Sequence, residues 1–313
     1  MSTMQTLHLH ANDADLARAA GLLQNGDLVA FPTETVYGLG ADARNGKAVA
    51  SVYAAKGRPN FNPLIVHVPD VASAQKYVMW NETAQLLADQ FWPGALTMVL
   101  PLREGHGLSS LVTAGLDTLA IRVPNHPTAQ RLLELANAPI AAPSANPSGR
   151  ISPTTAQHVF DGLSGKIAAV LDDGACAVGL ESTILGLTPD VALLRHGGVA
   201  VEAIEKTLSV GLPQETPKTI TAPGQMESHY APSEAVRLNV SSAMSGELFL
   251  GFGPMQCDLN LSENADLIEA AANLFDHLHQ LDKIGKPIAI APIPQTGLGR
   301  AINDRLRRAA APR

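Results

Sequence analysis

The stretch Val-Ala-Phe-Pro-Thr-Glu-Thr-Val-Tyr-Gly-Leu-Gly, residues 29–40, decides the fold of this chain. Its apolar beginning predicts a buried strand, which Pro32 ends. Thr33, Glu34 and Thr35 follow the strand directly, at its carboxyl end. Open α/β sheets bind their ligands at this end of their strands. The stretch therefore predicts an α/β protein with a ligand site beside its first buried strand.

Two cations and a histidine come next along the chain. Lys56 and Arg58 flank a glycine that is expected to end a short helix. A second predicted strand, residues 64–68, carries His67 in an otherwise apolar run. Taken singly, these residues also suit a solvated helix end and a core histidine. Together, hydroxyls, cations and an imidazole at two neighbouring strand ends favour an anionic ligand such as a nucleotide.

Composition sets outer limits on the class of protein. A chain of 313 residues with 46% hydrophobic content can bury one large core and a small second one. Because aromatic residues are only 4%, the core is expected to be mostly Ala, Val, Leu and Ile. The formal net charge of -7 argues against a protein whose main task is to bind the nucleic-acid backbone.

Signals for a structural metal, a disulfide framework or a targeting segment are missing from the sequence. Cys176 and Cys257 stand apart, without cysteine or histidine at metal-binding spacing. Residues 1–12 lack the basic start and apolar centre of a secretory signal, and no apolar run reaches bilayer length. A cytoplasmic protein without membrane contact is the resulting expectation.

Helical and strand patterns alternate through the first two thirds of the chain, which predicts an α/β sheet. Asp13 and Asn81 are expected to cap helices, and Gly38 and Gly40 to allow a tight backbone turn. The remaining predicted strands of this part are residues 96–101, 119–123, 140–142, 184–187 and 191–194.

Arg122 interrupts the apolar strand predicted at residues 119–123. A buried guanidinium needs a carboxylate or a phosphate as its partner. From the sequence alone, Arg122 is therefore either half of an ion pair within the sheet or a contact for an anionic ligand. Ser144 and Asn146 follow another apolar strand and would otherwise be read as turn residues.

Residues 212–233 are rich in Pro, Thr and Gly, a composition typical of an extended linker. His229 and Tyr230 within it favour a segment that folds back onto the first domain. Residues 234–313 predict a small α/β domain. The arginines of its last helix are expected to form a solvated face: Arg300, Arg305, Arg307 and Arg308.

Ten segments, including Lys-Gly-Arg-Pro and Pro-Ser-Ala-Asn, make the sequence resemble the Sua/YciO/YrdC family, and within it the longer two-domain form. Their common order along the chain makes the match specific. The segments are residues 31–40, 56–59, 62–67, 92–94, 113–118, 120–124, 139–146, 152–154, 181–183 and 229–232.

The resemblance implies a YrdC-like open, twisted, mixed sheet flanked by helices, plus a small C-terminal α/β domain on a long linker. It implies that L-threonine, bicarbonate or CO2, and ATP give threonylcarbamoyl-AMP and pyrophosphate. Mg²⁺ would accompany ATP, and no prosthetic group is implied. The product would pass to a tRNA threonylcarbamoyltransferase complex that modifies adenosine beside the anticodon.

The resemblance also implies roles for individual residues. Catalysis would rest on Lys56, Arg58, Ser144 and Asn146, with the two cations facing phosphate charge. Threonine would be bound by Thr35, His67, Arg122, Ala142 and Ser182. ATP would be bound by Arg58, Asn62, Thr118, Ser144, Ser152, Arg195 and Tyr230. The ligands of a metal are not indicated.

The expected organisation is a catalytic domain at residues 1–211, a linker over the active site at 212–233 and a C-terminal domain at 234–313. Two other functions stay open. One is an RNA-binding factor, for which a salt-dependent tRNA-binding assay would decide. The other is a carbamoyltransferase that acts on a different acceptor, which a pyrophosphate-release assay with other amino acids would reveal.

Overall fold

The computed structural model describes residues 5–59, 61–213 and 229–312, which form two β-sheets with helices packed against them. The strands are β1 (Leu7–His10), β2 (Val29–Phe31), β3 (Gly38–Asp42), β4 (Ile65–His67), β5 (Leu96–Pro101), β6 (Thr118–Arg122), β7 (Ile140–Ala141), β8 (Ala169–Asp172), β9 (Thr183–Leu187), β10 (Val191–Arg195), β11 (Val236–Arg237), β12 (Leu248–Gly251), β13 (Leu259–Asn260) and β14 (Ile288–Ile290). The helices are α1 (Asp13–Gln24), α2 (Gly46–Lys56), α3 (Val71–Ala74), α4 (Glu82–Phe91), α5 (Ser110–Thr113), α6 (Pro127–Ala136), α7 (Ala156–Leu163), α8 (Val201–Leu208), α9 (Leu267–Asp282) and α10 (Leu298–Ala309).

The larger sheet has ten strands in the order β1-β8-β2-β3-β7-β4-β6-β5-β9-β10. It contains parallel pairs, such as β4 with β6, and antiparallel pairs, such as β5 with β6. The predicted mixed sheet flanked by helices is therefore confirmed. Strands β1 and β8 had no counterpart among the predicted strands. The first of them is short and alternates Leu with His, a weak signal in a chain with longer apolar runs.

Strands β2 and β4 are not neighbours, because β3 and β7 lie between them. Each successive pair in this set is antiparallel, so β2 and β4 run in opposite directions. The carboxyl end of β2 and the carboxyl end of β4 therefore point in opposite directions along the strands. The expectation that Thr33 and His67 lie at two neighbouring strand ends is wrong; the two residues meet over one face of the sheet instead.

Gly38 and Gly40 lie within β3 and not in the tight turn expected from the sequence. A Cβ atom on Gly40 would lie 2.9 Å from Cε1 of Phe31 and 3.0 Å from Cγ2 of Ile140. The glycine is required because the aromatic ring of Phe31 packs against the backbone of this strand.

Helix ends largely follow their sequence signals. Gly57 ends α2 with a φ of 61°, and the side chain of Asn81 caps α4. Asn12, rather than Asp13, caps α1, because Asn12 is the last residue with an extended backbone and its side chain accepts a first-turn N–H.

The smaller sheet contains four strands in the order β11-β14-β12-β13, all of them parallel. Helices α9 and α10 share a core with it, as expected for a small α/β domain. Arg305 of α10 is completely buried, so the expected solvated face is wrong for this arginine. Among the described helices, none combines the length and the apolar character needed to cross a lipid bilayer.

Candidate active site

A cavity lies over one face of the larger sheet and is partly open to solvent. The cavity is lined by Thr33, Thr35, Val36, Gly38, Arg58, Ile65, His67, Arg122, Ala142, Pro143, Ser144, Glu181, Ser182, Arg195, His229 and Tyr230.

The floor of the cavity is formed by side chains on one face of β4 and β6. His67 and Arg122 are opposite each other in the register of these strands. Ile65 lies two residues before His67 and therefore projects from the same face. Beside it, the cavity is lined by the methyl group of Ala142 and by the backbone of Gly38, which has no side chain. The small residues leave room above the sheet for a ligand.

Arg122 is held at the floor by three contacts. Its Nη2 lies 2.7 Å from Oε1 of Glu34, and both side chains are buried. Its Nη1 donates to Oγ1 of Thr35 at 2.9 Å, and its Nε donates to the carbonyl oxygen of Gly94 at 3.0 Å. Arg122 thus forms an ion pair within the fold and also lines the cavity. A guanidinium has more N–H donors than these contacts use, so it can still bind a carboxylate.

The segment after β2 forms a closed polar turn over the sheet. The hydroxyl of Thr33 donates to the carbonyl oxygen of Val36 at 2.7 Å and lies 2.8 Å from the hydroxyl of Thr35. This turn carries Thr35 across to Arg122. It explains how residues from opposite-running strands reach a single site.

Lys56 lies behind the cavity and does not line it. Its Nζ donates to the carbonyl oxygen of Ser144 at 2.5 Å, to that of Asn146, and to Oδ1 of Asn146 at 3.4 Å. The Asn146 amide in turn donates to the carbonyl oxygens of Pro147 and Arg150. These contacts direct the ammonium group of Lys56 at the loop that presents Ser144, and its expected contact with phosphate stays a prediction.

Arg58 reaches the cavity from the loop after α2. Its Nε donates to the carbonyl oxygen of Asn62 at 3.3 Å, and its Nη2 donates to that of Pro63 at 3.0 Å. These backbone contacts orient the guanidinium without neutralising its charge. Asn62 therefore supports Arg58 through its backbone and is not among the lining residues.

Ser182 and Arg195 form the opposite side of the cavity. The hydroxyl of Ser182 lies 2.7 Å from that of Thr97 and accepts from Nη2 of Arg195 at 3.2 Å. Nε and Nη2 of Arg195 also donate to the backbone oxygen of Ser182, at 3.1 and 2.8 Å. Strands β9 and β10 are antiparallel neighbours, which is why these two residues meet.

His229 and Tyr230 close the cavity from the segment that precedes the smaller sheet. Their rings stack with centroids 4.0 Å apart, and both line the cavity. The backbone N–H of Ala231 donates to the carbonyl oxygen of Gly149 at 2.9 Å. The end of the segment at 212–233 therefore lies against the loop between β7 and α7, whereas residues 214–228 lie outside the described residues.

The cavity is strongly cationic. Burial lowers the pKa of Arg58 and of Arg195 to about 10. Burial and then Arg58 hold the pKa of Lys56 well below its usual range. Among the described residues that line the cavity, Glu181 alone carries a carboxylate. Because buried cations with too little counter-charge are destabilised, an anionic ligand would be strongly favoured here.

His67 and His229 should make the protein sensitive to acid. Burial is the main reason that each has a pKa of about 3, so each is neutral when folded but takes up a proton on unfolding below its ordinary pKa of 6.5. Stability is therefore retained above pH 6.5 and lost as the pH falls towards 3. Lowering the pH from 7 to 5 should reduce the unfolding free energy by about 2 kcal/mol for each of these histidines.

Urea titrations at both pH values measure this reduction. In His67→Gln, the reduction should be smaller by about 2 kcal/mol than in the unaltered protein. His10→Gln, an exposed control, should keep all of it, and an unchanged pH dependence in His67→Gln would contradict the assignment.

The structure brings together most of the site residues expected from the sequence. Thr35, Arg58, His67, Arg122, Ala142, Ser144, Ser182, Arg195 and Tyr230 all line the one cavity. Lys56 and Asn146 lie behind it. Thr118 begins β6 while Arg122 ends it, which places the two at opposite ends of the strand and Thr118 outside the lining residues.

Ser152 is completely buried and donates its hydroxyl to Oε1 of Glu181 at 2.6 Å, so it also stands outside the cavity lining. Glu181, His229 and Arg305 had no assigned role. Glu181 and His229 could have been found from the sequence, because both belong to segments that match the family. For Arg305 the sequence offered only a basic helix.

The side chains around the cavity suit a divalent cation bound by the phosphates of a ligand better than a divalent cation bound by protein carboxylates. Glu181 already accepts from Ser152 and Arg305, and Glu34 is paired with Arg122. Mg²⁺ prefers several water and phosphate oxygens to a cage of protein carboxylates. The described residues fit this arrangement, in which protein groups contact the phosphates and supply few metal ligands.

Two family models together match nearly the whole chain. One, of the Sua5/YciO/YrdC family and described as telomere recombination, matches residues 21–197. The other, described as threonylcarbamoyl-AMP synthase, C-terminal domain, matches residues 199–311.

Individual relatives agree with these models. The threonylcarbamoyl-AMP synthase of Bacillus subtilis (strain 168) is 42% identical over 335 residues, which covers 98% of this chain and 96% of the relative. That of Pyrococcus abyssi (strain GE5 / Orsay) is 40% identical over 318 residues and covers 93% of each. The crystal structure of P. abyssi Sua5 complexed with L-threonine has a TM-score of 0.89 at 37% identity and covers 97% of each chain.

The fold and the site define a two-part α/β protein with a buried cationic cavity on the face of a mixed sheet. The chain belongs to the Sua5/YciO/YrdC family, in the form that carries the additional C-terminal domain.

Proposed function

We propose that this protein is a threonylcarbamoyl-AMP synthase, which forms L-threonylcarbamoyladenylate and pyrophosphate from L-threonine, bicarbonate or CO2, and ATP. The observation that carries the proposal is that Arg58, Arg122 and Arg195 come from separate segments and line one cavity. Among the described residues, these three guanidinium groups face only the carboxylate of Glu181 and, behind Arg122, that of Glu34, which suits an anionic ligand. The relatives at 40–42% identity bear the name of this enzyme.

Threonine occupies the floor of the cavity in this proposal. Arg122 binds its carboxylate, and Glu34 keeps the guanidinium in place. Nδ1 of His67 is buried and has no hydrogen-bond partner among the residues that the structure describes, so it is available to the substrate. Thr35 and Ser182 supply hydroxyls, and the small side chain of Ala142 leaves space for the amino acid.

ATP occupies the side of the cavity near the two other guanidinium groups. Arg58 and Arg195 contact phosphate oxygens, Ser144 donates a neutral hydrogen bond, and Tyr230 packs on the nucleotide. ATP also extends beyond the cavity described above. At the border of this subsite, it is bound by Ser152, Asn62 and Thr118.

The reaction needs no nucleophile from the protein. The threonine amine is first carboxylated to a carbamate, whose oxygen attacks the α-phosphorus in line while pyrophosphate leaves. Catalysis then rests on positioning and on neutralisation of charge. Arg58 and Ser144 contact the reacting phosphates, and Lys56 and Asn146 hold the loop that carries Ser144. Mg²⁺, bound with the phosphates, supplies further positive charge.

The chain is divided in this proposal into a catalytic domain (1–211), a linker (212–233) and a C-terminal domain (234–313). The linker acts as a lid, because His229 and Tyr230 at its end line the cavity. The protein works in the cytoplasm and passes its product to a tRNA threonylcarbamoyltransferase complex. Any direct contact with tRNA is weak, since the net charge is -7.

Replacing Tyr230 tests the lid. Tyr230→Ala removes a buried ring from the cavity and should raise the KM for ATP by about tenfold, since stacking on a base is worth about 1–3 kcal/mol. Tyr230→Phe keeps the ring and serves as the matched control. Titration of ATP into both variants measures the effect, and equal ATP affinity in Tyr230→Ala and the unaltered protein would count against the lid.

The proposed function is tested by pyrophosphate release. The purified protein is incubated with ATP, Mg²⁺ and bicarbonate, and each of threonine, serine, valine and glycine is added in turn. Release that requires bicarbonate and is fastest with threonine supports the proposal. Release with another amino acid in preference would assign a different acceptor, and no release with any of them would reject the function.

A further inference from the structure

Three side chains at one edge of the larger sheet come together in a group that suits a metal ion. One nitrogen or oxygen atom from each of His8, His10 and Asp172 lies within 4.8 Å of the other two. The histidines belong to β1, the outermost strand, and the aspartate ends the neighbouring strand β8. None of these three residues lines the cavity, so the proposed reaction does not account for them.

We propose that His8, His10 and Asp172 bind a divalent transition-metal cation, with Zn²⁺ as the best match, and that the bound ion fastens the outermost strand to the sheet. Such a site is independent of the proposed function. It is also distinct from the Mg²⁺ that would accompany ATP. Two imidazoles and a carboxylate are typical ligands of Zn²⁺, whereas Mg²⁺ prefers oxygen ligands.

The register of the two strands places the three side chains on the same face of the sheet. His8 and His10 are two residues apart and both are exposed, whereas Leu9 between them is buried in the core. His10 is directly opposite Asp172 in the parallel pairing of β1 with β8. His8 and Asp172 are 164 residues apart in sequence, which is why local spacing did not indicate this group.

Contacts around Asp172 direct one of its two oxygens towards the histidines. Oδ1 accepts from the backbone N–H of Gly174 at 3.0 Å and lies 3.3 Å from the hydroxyl of Tyr37. Oδ2 lies 2.9 Å from Nε2 of His8. Carboxylates that bind metals are commonly oriented in this way, by hydrogen bonds to neighbouring groups. The carboxylate is therefore already placed as a ligand.

The two imidazole rings lie near the positions that a metal requires. The His8 ring packs edge-on against Phe160 of α7 at a centroid distance of 5.0 Å, and the His10 ring lies 4.6 Å from it. The backbone N–H of His10 donates to Oδ2 of Asp15 at 2.9 Å, which holds the end of the strand.

Only a small movement separates the group from the geometry of a zinc site. With Zn–N distances of about 2.0–2.1 Å, the ligand atoms of a tetrahedral site lie about 3.3 Å apart. Compared with the present separation of up to 4.8 Å, the atoms must approach by at most about 1.5 Å. Exposed histidine rings can rotate by this amount without disturbing the core, and water completes the coordination.

A metal at this place would stabilise a strand that has few other contacts. β1 contains four residues and pairs only with β8 among the described strands. Short strands at the edge of a sheet open locally more easily than central ones. Because the ligands come from distant parts of the chain, the unfolded protein lacks the site, and bound Zn²⁺ must favour the folded state.

Titration of the full-length, untagged protein with Zn²⁺ tests the site. After removal of metals with a chelator, calorimetry with ZnCl2 should find one tight site per chain, and MgCl2 should give no comparable binding. His8→Gln and His10→Gln should each weaken Zn²⁺ binding by about tenfold or more, since loss of a group that merely orients a ligand already costs about 10–100-fold. His106→Gln, in the loop between β5 and α5, is the matched control and should retain the affinity.

Thermal unfolding and a rescue variant add two further measurements. At a free Zn²⁺ concentration of about 100 times the dissociation constant, the unfolding temperature of the unaltered protein should rise by about 5 °C. The same addition should leave that of His10→Gln nearly unchanged. His10→Cys supplies another zinc ligand at the same position and should recover most of the affinity that His10→Gln loses.

Two results would overturn the proposal. One is the absence of a tight Zn²⁺ site in the unaltered protein. The other is equal Zn²⁺ affinity in the unaltered protein, His8→Gln and His10→Gln, which would place the bound ion elsewhere. Neither measurement uses pyrophosphate release, so failure of the proposed function would be recognised separately.

Discussion

Lys56→Met is expected to lower kcat/KM for threonylcarbamoyl-AMP formation by about 100-fold or more, with the fold preserved. The ammonium group of Lys56 does not reach into the cavity. It holds the carbonyl oxygens of Ser144 and Asn146, which form the loop that presents Ser144 to the ligand. Methionine cannot donate to these oxygens, so the loop must shift to find other partners. A displacement of about 1 Å at a reacting group is enough to cost about two orders of magnitude.

The control for this variant is Lys47→Met, in the first turn of the same helix. Lys47 is exposed, so its removal should leave the rate unchanged. Circular dichroism and thermal unfolding should find both variants folded, with Lys56→Met destabilised by about 1–3 kcal/mol for each carbonyl left without a donor. Near-normal turnover of Lys56→Met would refute the role of this lysine.

Arg122→Leu is expected to have the second large effect, a loss of about 1,000-fold in kcat/KM for threonine with little change in the KM for ATP. The guanidinium is the cation at the floor of the cavity and is proposed to bind the threonine carboxylate. A charge-assisted, two-point contact to a carboxylate cannot be replaced by an apolar side chain. Steady-state kinetics with each substrate varied in turn measure the two constants.

Loss of Arg122 also leaves Glu34 buried without its ion-pair partner, which alone should cost about 3–5 kcal/mol. The double variant Glu34→Gln with Arg122→Leu removes this penalty. It should regain stability in urea titrations but should not regain the use of threonine. If the double variant recovered both stability and the use of threonine, Arg122 would serve only to stabilise the fold and would not bind the substrate. Arg103→Leu, which removes an exposed arginine, is the control for the assay.

The sequence predicted the helices and strands well where the local signal is strong. Asn81 caps α4 and Gly57 ends α2, as expected. These features depend on neighbouring residues, because caps and apolar periodicity act over one or two turns. Strands β1 and β8 escaped prediction because short strands carry little periodicity.

The sequence pattern could not predict the direction of the strands or their pairing. The ligand site was expected at two strand carboxyl ends, whereas it lies on a sheet face, because three antiparallel pairings separate β2 from β4. A local pattern reports which residues are buried and not which strand pairs with which. Strand order is set by long-range packing.

By itself, the sequence determined the α/β class, the family resemblance and most of the residues that surround the cavity, since matching segments carry those residues in a recognisable order. Only the tertiary structure decided that Lys56 turns to a backbone loop, that Glu34 pairs with Arg122 and that Arg305 is buried against Glu181. The physical reason is that a charge taken out of water must find a partner, and that partner is chosen by the fold from residues far apart along the chain.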